Sequence, residues 1–193
     1  MTRARWAEDQ LEKAVAAGIG QYVIQGAGLD TFAWRRPDWA AAVKVFEVDH
    51  PATQAAKREL LATKKLAEPE TLEFIPCDFE KETLAEALAG STYSREKPAF
   101  FSWMGTVPYL SREAVFGTLG SLAGFARPGS EIVFDYLIPK ELLAPEDIGV
   151  FEMTPKFFSR RGEPLLSFFD PRRFPGEVCG LGFELVENLS PRE

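Results

Sequence analysis

The chain has 193 residues, of which 46% are hydrophobic, and its 22 basic and 29 acidic side chains give a formal net charge of -7. This length and composition predict a single globular domain over residues 1–193. The negative charge is spread without long runs, which argues against nucleic acid or an anionic membrane as the main partner and favours a small-molecule ligand.

Helical and strand patterns alternate along the chain. Helices are predicted over 4–17, 32–34, 52–67, 80–89, 112–126 and about 170–180, and strands over 21–25, 43–49, 72–77, 99–104, 131–137 and 183–189. This alternation predicts an α/β fold, a doubly wound and mostly parallel sheet with helices on both faces. Residues 138–163 break the rhythm with three prolines, and are either a lid insertion or a packed connector.

Cysteine usage and hydropathy limit the class of protein further. Cys77 and Cys179 lie far apart, no signal peptide precedes the charged opening, and no apolar run reaches the roughly 18 residues of a membrane helix. We therefore expect a reduced, cytoplasmic protein that does not span a membrane. One histidine and two separated cysteines also argue against a dedicated metal site.

A glycine turn and two strand-end acids form the most informative pattern. Gly26 and Gly28 follow the first predicted strand and let a ligand approach the backbone closely. Asp49 ends the second strand and Asp78 follows the third, directly before Phe79. Because ligands bind open parallel sheets beyond the carboxyl ends of the strands, we expect these residues to surround one crevice.

The three positions suit S-adenosylmethionine. The turn would face the amino-acid end, Asp49 would accept from both ribose hydroxyls, Asp78 would accept from the adenine amino group, and the Phe79 N–H would donate to a ring nitrogen. Two simpler alternatives remain open, namely a helix N-cap role for Asp78 and a solvated strand-end acid for Asp49.

A nicotinamide dinucleotide is the second candidate ligand. In the G-x-G-x-x-G fingerprint the third glycine would fall on Thr31, where a β-branched side chain would hinder close packing of helix against strand. We therefore rank an NAD(P)-binding oxidoreductase below a methyltransferase.

Several motifs together resemble the leucine carboxyl methyltransferase family, and within it they are most similar to the bacterial S-adenosylmethionine-dependent O-methyltransferases. The motifs are residues 3–11, 21–35, 45–51, 77–79 and 101–110. The resemblance covers nearly the whole chain and implies a class I, Rossmann-like methyltransferase fold. It also implies that S-adenosyl-L-methionine is the cofactor and that its acceptor is a small molecule or a carboxyl group.

By position, the resemblance implies that Gly26, Asp49, Asp78 and Phe79 line the cofactor site. It further implies that Arg3 or Arg5 pairs with the cofactor carboxylate, and we favour Arg5. The alternative for either arginine is a solvated helix charge.

The chain departs from the family pattern at three points. Met104 stands where the family often has a glutamate after strand four. The chain begins almost at the first arginine motif, and it stops before the segment that usually supplies the seventh strand. We therefore expect a fragment or a shortened homologue, whose sheet can lack the last strand.

These features support three hypotheses about function. The first is an S-adenosylmethionine-dependent O-methyltransferase, in which alignment of the reactants supplies much of the acceleration. His50 can be proposed as a general base, although a residue between a strand end and Pro51 is more often structural, and Trp103 and Tyr109 are candidates for pocket walls. The others are an oxidoreductase and a truncated, non-catalytic module that retains the cofactor.

Overall fold

The computed structural model describes residues 3–146, 148, 149, 151 and 164–190. Its sheet has five strands in the order β3-β2-β1-β4-β5, and every neighbouring pair is parallel. The strands are β1 Gln21–Gln25, β2 Lys44–Asp49, β3 Leu72–Pro76, β4 Phe100–Trp103 and β5 Glu131–Phe134. The predicted parallel α/β sheet is confirmed for these five strands.

Helices connect the strands, as the alternating pattern predicts. They are α1 Arg3–Ala16, α2 Phe32–Arg35, α3 Pro51–Thr63, α4 Leu84–Ala89, α5 Arg112–Phe125 and α6 Phe174–Cys179, with short 3₁₀ turns at Asp38–Ala40, Val107–Tyr109 and Lys140–Leu142. No helix in the described part of the chain is both long and apolar enough to cross a bilayer.

Both faces of the sheet are buried, which explains the almost continuous apolar run of β1. Tyr22 and Ile24 pack in the cluster that contains Leu11 of α1, whereas Val23 packs in the cluster that contains Leu84 of α4 and Leu122 of α5. Side chains alternate between the two faces of a strand, so consecutive residues of β1 pack against the helices on opposite faces of the sheet. The prediction of helices on both faces is confirmed.

Helix starts follow the capping chemistry of the sequence. Pro51 opens α3, and the Ser111 hydroxyl accepts the Ala114 N–H at 3.1 Å at the start of α5. The fourth helix begins at Leu84 rather than at the predicted position 80, because Thr83 forms a capping box with Glu86.

The predicted sixth strand over 183–189 is wrong. These residues have no strand pairing within the described structure, and Leu185 and Val186 are 52% and 87% exposed. The segment is held instead by a side-chain hydrogen bond from Tyr136 to Asn188, at 2.9 Å. A segment rich in apolar residues forms a strand only where a neighbouring strand satisfies its backbone N–H and C=O groups, and no described strand lies there.

The predicted lid insertion over 138–163 falls largely outside the described residues. Its described part contains the 3₁₀ turn Lys140–Leu142. Both the lid and the assignment of residues 1–193 to one domain therefore stay predictions.

Candidate functional site

The turn after β1 requires glycine at its first position for two separate reasons. Gly26 has φ +65°, a conformation that other residues adopt only with strain. A Cβ on Gly26 would lie 2.1 Å from the Thr106 hydroxyl oxygen, because the loop after β4 passes directly beside the turn. The Gly26 N–H also donates to the Val48 carbonyl oxygen at 2.8 Å, which ties the turn to the end of β2.

Asp49 joins the end of β2 to the glycine turn. Its Oδ2 accepts the Gly28 N–H at 2.5 Å, and its Oδ1 accepts the N–H of His50 at 2.6 Å. A carboxylate has about four acceptor positions, so these two bonds leave capacity on both oxygens. The half-buried Asp49 can therefore accept two further hydrogen bonds, as a sugar diol would require. The arrangement differs from a strand-end acid that only meets solvent.

The end of β3 lies directly beside the end of β2, because the Cys77 N–H donates to the Asp49 carbonyl oxygen at 2.9 Å. This contact brings Asp78 next to the end of β2, with its Oδ2 2.7 Å from Lys81 Nζ and 3.9 Å from His50 Nε2. The hydrogen bond from Lys81, helped by one from the N–H of Glu80, lowers the pKa of Asp78. Asp78 is therefore a carboxylate, and so a hydrogen-bond acceptor, at neutral pH.

The N-cap alternative for Asp78 is wrong. Thr83 caps α4, whereas the Asp78 Oδ1 accepts the Glu80 N–H at 3.2 Å in a local turn before that helix. The neighbouring Phe79 ring lies 6.3 Å from the ring of Trp103, centroid to centroid. Phe79 therefore packs against the fully buried Trp103 and connects the end of β3 to the end of β4.

The two candidate arginines lie in different places. Arg5 forms an ion pair of 2.7 Å with Asp9 along α1, and its side chain is 65% exposed. Arg3 instead reaches the carboxyl ends of β4 and β5, where its Nη1 lies 2.8 Å from Asp135 Oδ2. The Gly105 N–H donates to the other oxygen of the same carboxylate at 2.5 Å. Arg3, which the sequence left as the second choice, is thus the arginine at the strand ends.

Asp135 is a residue that sequence reasoning missed. The fifth strand was predicted over 131–137, which placed Asp135 inside it, but β5 ends at Phe134. Had the strand been predicted to end at Phe134, Asp135 would have been recognised as an acid directly after a parallel strand, which is where ligands bind such sheets.

His50 has a structural role. It is the N-cap of α3, and its Nδ1 accepts the Ala52 N–H at 3.2 Å. An accepting Nδ1 carries no proton, so in the neutral ring the proton lies on Nε2, on the side of Asp78. The Nδ1 lone pair of His50 is therefore engaged at the start of α3. Among the described residues, no group of three or more His, Cys, Asp or Glu side chains is placed to hold a metal ion.

The sequence model of the leucine carboxyl methyltransferase family matches residues 1–123. The chain belongs to this family. The match spans β1 to β4 and reaches from α1 into α5, so it includes every strand end described above except that of β5.

Two relatives extend the comparison. YktD of Bacillus subtilis (strain 168), provisionally named an S-adenosyl-L-methionine-dependent methyltransferase, is 36% identical over 191 residues, which are 99% of this chain and 62% of YktD. A Mycolicibacterium paratuberculosis protein with the same provisional description is 37% identical over 131 residues, 67% of this chain and 41% of that protein. This leucine carboxyl methyltransferase family chain thus spans less than two thirds of the length of either relative.

Solved structures share the fold of this family member. An O-methyltransferase family protein from Burkholderia thailandensis superposes with a TM-score of 0.61 at 15% identity, over 97% of this chain and 54% of that protein. Human N-acetylserotonin methyltransferase, solved in complex with SAM, gives a TM-score of 0.55 at 14% identity, over 90% of this chain and 46% of that protein. At such identities the comparisons establish the class I methyltransferase architecture and no more.

Proposed function

We propose that this chain binds S-adenosyl-L-methionine at the carboxyl ends of β1, β2 and β3 and transfers its methyl group to an oxygen of an acceptor. The observation that carries the proposal is the hydrogen bond from the Gly28 N–H to Asp49, which makes the turn after β1 and the acid of β2 a single unit. Membership of the leucine carboxyl methyltransferase family supports the same ligand and reaction. The relatives and structures named above give no support to the oxidoreductase alternative.

The residues present fit the adenosyl part of the ligand. Asp49 keeps two acceptor positions for the ribose diol after its bonds to Gly28 and His50. Asp78 is held ionised beside Lys81 and can accept from an exocyclic amine. The N–H of Phe79 would donate to a ring nitrogen, as the sequence predicts. Thr106 already occupies the position that a side chain on Gly26 would take, so Gly26 contributes to the site through the path of its turn.

Arg3 is the better placed partner for the ligand carboxylate. Its guanidinium lies at the ends of β4 and β5, and it passes beside Gly105, which has φ +71° and no side chain to displace it. Arg5, the residue favoured from the sequence, points along α1 to Asp9. We therefore propose Arg3 for this role and assign Arg5 to the surface of α1.

A carboxylate is the acceptor that this site serves most simply. When bound, S-adenosylmethionine supplies a methyl group activated on a sulfonium. A carboxylate acceptor is already ionised at neutral pH, whereas a hydroxyl acceptor gains from a general base. The Nδ1 of His50, the only histidine of the sequence, is engaged in capping α3. The protein's contribution is then to align the acceptor oxygen with the methyl group and to exclude water.

Calorimetry followed by a transfer assay tests the proposal. Titration with S-adenosylhomocysteine should show saturable binding, and Asp49→Asn should weaken it. The control is Asp38→Asn, on a 3₁₀ turn that precedes β2 and is away from the carboxyl ends of the strands, and it should leave binding unchanged. Incubation with radiolabelled S-adenosylmethionine and carboxylic acid acceptors should then yield base-labile methyl esters. Absence of binding by the wild-type chain would overturn the proposal. Binding without transfer to any acceptor would favour the non-catalytic cofactor-binding module instead.

A further inference from the structure

Lys57 of α3 is a buried cation that contacts β2, β3, α2 and the turn after β1. Its Nζ lies 2.5 Å from Glu47 Oε2 on β2 and 2.7 Å from the Asp30 carbonyl oxygen after β1. The same nitrogen lies 5.1 Å from the centroid of the Trp34 ring and 5.8 Å from that of Phe74 on β3. The side chains of Lys57 and Glu47 are only 5% and 1% exposed, so water does not compete for these contacts.

Stability alone does not account for this ion pair. A buried lysine and carboxylate lose their hydration, and a well-packed apolar pair of similar volume usually stabilises a protein as much or more. The pair is also incompletely satisfied, because Glu47 Oε1 is buried without a hydrogen-bond partner among the described residues. The aromatic rings can favour the cation but not the carboxylate. The contact that an apolar pair would lose is the hydrogen bond from Lys57 to Asp30.

That hydrogen bond lies at the base of the glycine turn. The Asp30 N–H donates to the Ala27 carbonyl oxygen at 2.8 Å, so Asp30 closes the turn that begins at Gly26. At its tip the turn is held by the bond from Gly28 to Asp49. At its base the turn is held by Lys57, which also forms an ion pair with Glu47. Glu47 lies two residues before Asp49 on β2.

We propose that Lys57 is a positioning residue that presets the glycine turn for its ligand. With the base of the turn fixed by Lys57, the Asp49 carboxylate need not hold the turn alone and can share its oxygens with a ligand diol. Presetting a loop removes part of the ordering cost from binding, so the apparent affinity rises. This inference rests on the proposed function, because the ligand in question is the adenosyl cofactor.

Two variants separate this role from stability. Glu47→Gln removes the charge pair but leaves Lys57 beside the Asp30 carbonyl, whereas the double variant Glu47→Gln/Lys57→Met removes both. We expect S-adenosylhomocysteine to bind Glu47→Gln within about threefold of wild type and the double variant about tenfold or more weakly. The double variant should nevertheless unfold at the same temperature as Glu47→Gln or higher, since it buries one polar group fewer.

Equal affinities of the two variants would overturn the proposal, as would a loss of affinity that follows the unfolding temperature.

Hydrogen exchange provides a test that needs no variant. In the ligand-free wild type the amides of Gly28 and Asp30 should exchange about 100-fold or more slowly than unprotected loop amides. Rapid exchange there would also overturn it. If wild type binds no S-adenosylhomocysteine, the proposed function fails, and the exchange rates alone decide whether the turn is preset.

Discussion

The backbone N–H of Gly28 donates to the Asp49 carboxylate at 2.5 Å, so the turn after β1 and the acid of β2 are mechanically coupled. Any change at Asp49 therefore alters both the acceptor offered to a ligand and the geometry of the turn. For this reason, stability and affinity must be measured side by side in variants at this position.

Asp49→Asn should weaken S-adenosylhomocysteine binding by about tenfold or more, because an amide offers one acceptor oxygen where the carboxylate offers two. The amide NH₂ would also face either the Gly28 or the His50 N–H, and a donor facing a donor costs about 1–3 kcal/mol of stability. Calorimetry and urea unfolding measure the two effects. Affinity equal to that of wild type would remove Asp49 from the site.

Gly26→Ala should lower the free energy of unfolding by about 2–4 kcal/mol, since it adds a clash to a strained conformation. Gly28→Ala is the matched control, because Gly28 also has positive φ, +51°, but its added Cβ would meet only the Gly26 carbonyl oxygen at 4.0 Å. Its cost should be about 1 kcal/mol. Urea unfolding measures both. Equal losses would mean that Thr106 moves aside at no cost.

Arg3→Ala should weaken S-adenosylmethionine binding by about tenfold, because it removes the cation at the ends of β4 and β5. Arg5→Ala removes a similarly exposed guanidinium from the same helix, so it controls for net charge and helix content. Its effect should stay within about twofold. If Arg5→Ala causes the larger loss in calorimetry, the interpretation favoured by the sequence is restored and the placement of Arg3 is unrelated to the ligand.

Glu47 predicts a pH dependence of stability. Burial raises the pKa of Glu47 to about 7, against an ordinary value of 4.5, and Lys57 offsets only part of that rise. Between these values the folded chain binds more protons than the unfolded chain, so this group's contribution to stability decreases as pH rises, and the charge pair with Lys57 is complete only above the upper value. Urea unfolding of wild type and Glu47→Gln across this window should show a less negative slope for the variant. Parallel slopes would contradict the prediction.

Much of the candidate site was predictable from local sequence. The order of strand, glycine turn, strand, acid and helix follows from apolar periodicity and from the few residues that tolerate a tight turn. Once the strands are parallel, Gly26, Asp49 and Asp78 must all lie at the carboxyl ends of the strands, on the same side of the domain. The structure places them there, with the Cys77 N–H joining the ends of β2 and β3.

Other features depended on groups distant in the chain. Residues 183–189 are rich in apolar side chains and follow a glycine, as strands often do, yet pairing requires a neighbour that the described residues do not provide. The sequence offered both Arg3 and Arg5 and favoured Arg5, and only the path of α1 over the sheet brings Arg3 to Asp135. Lys57 resembles any other helix charge until Asp30 and Glu47 enclose it. Periodicity and turn chemistry act over a few residues, so the sequence reveals them directly; ion pairs, strand partners and burial are interactions between segments and exist only once the chain has folded.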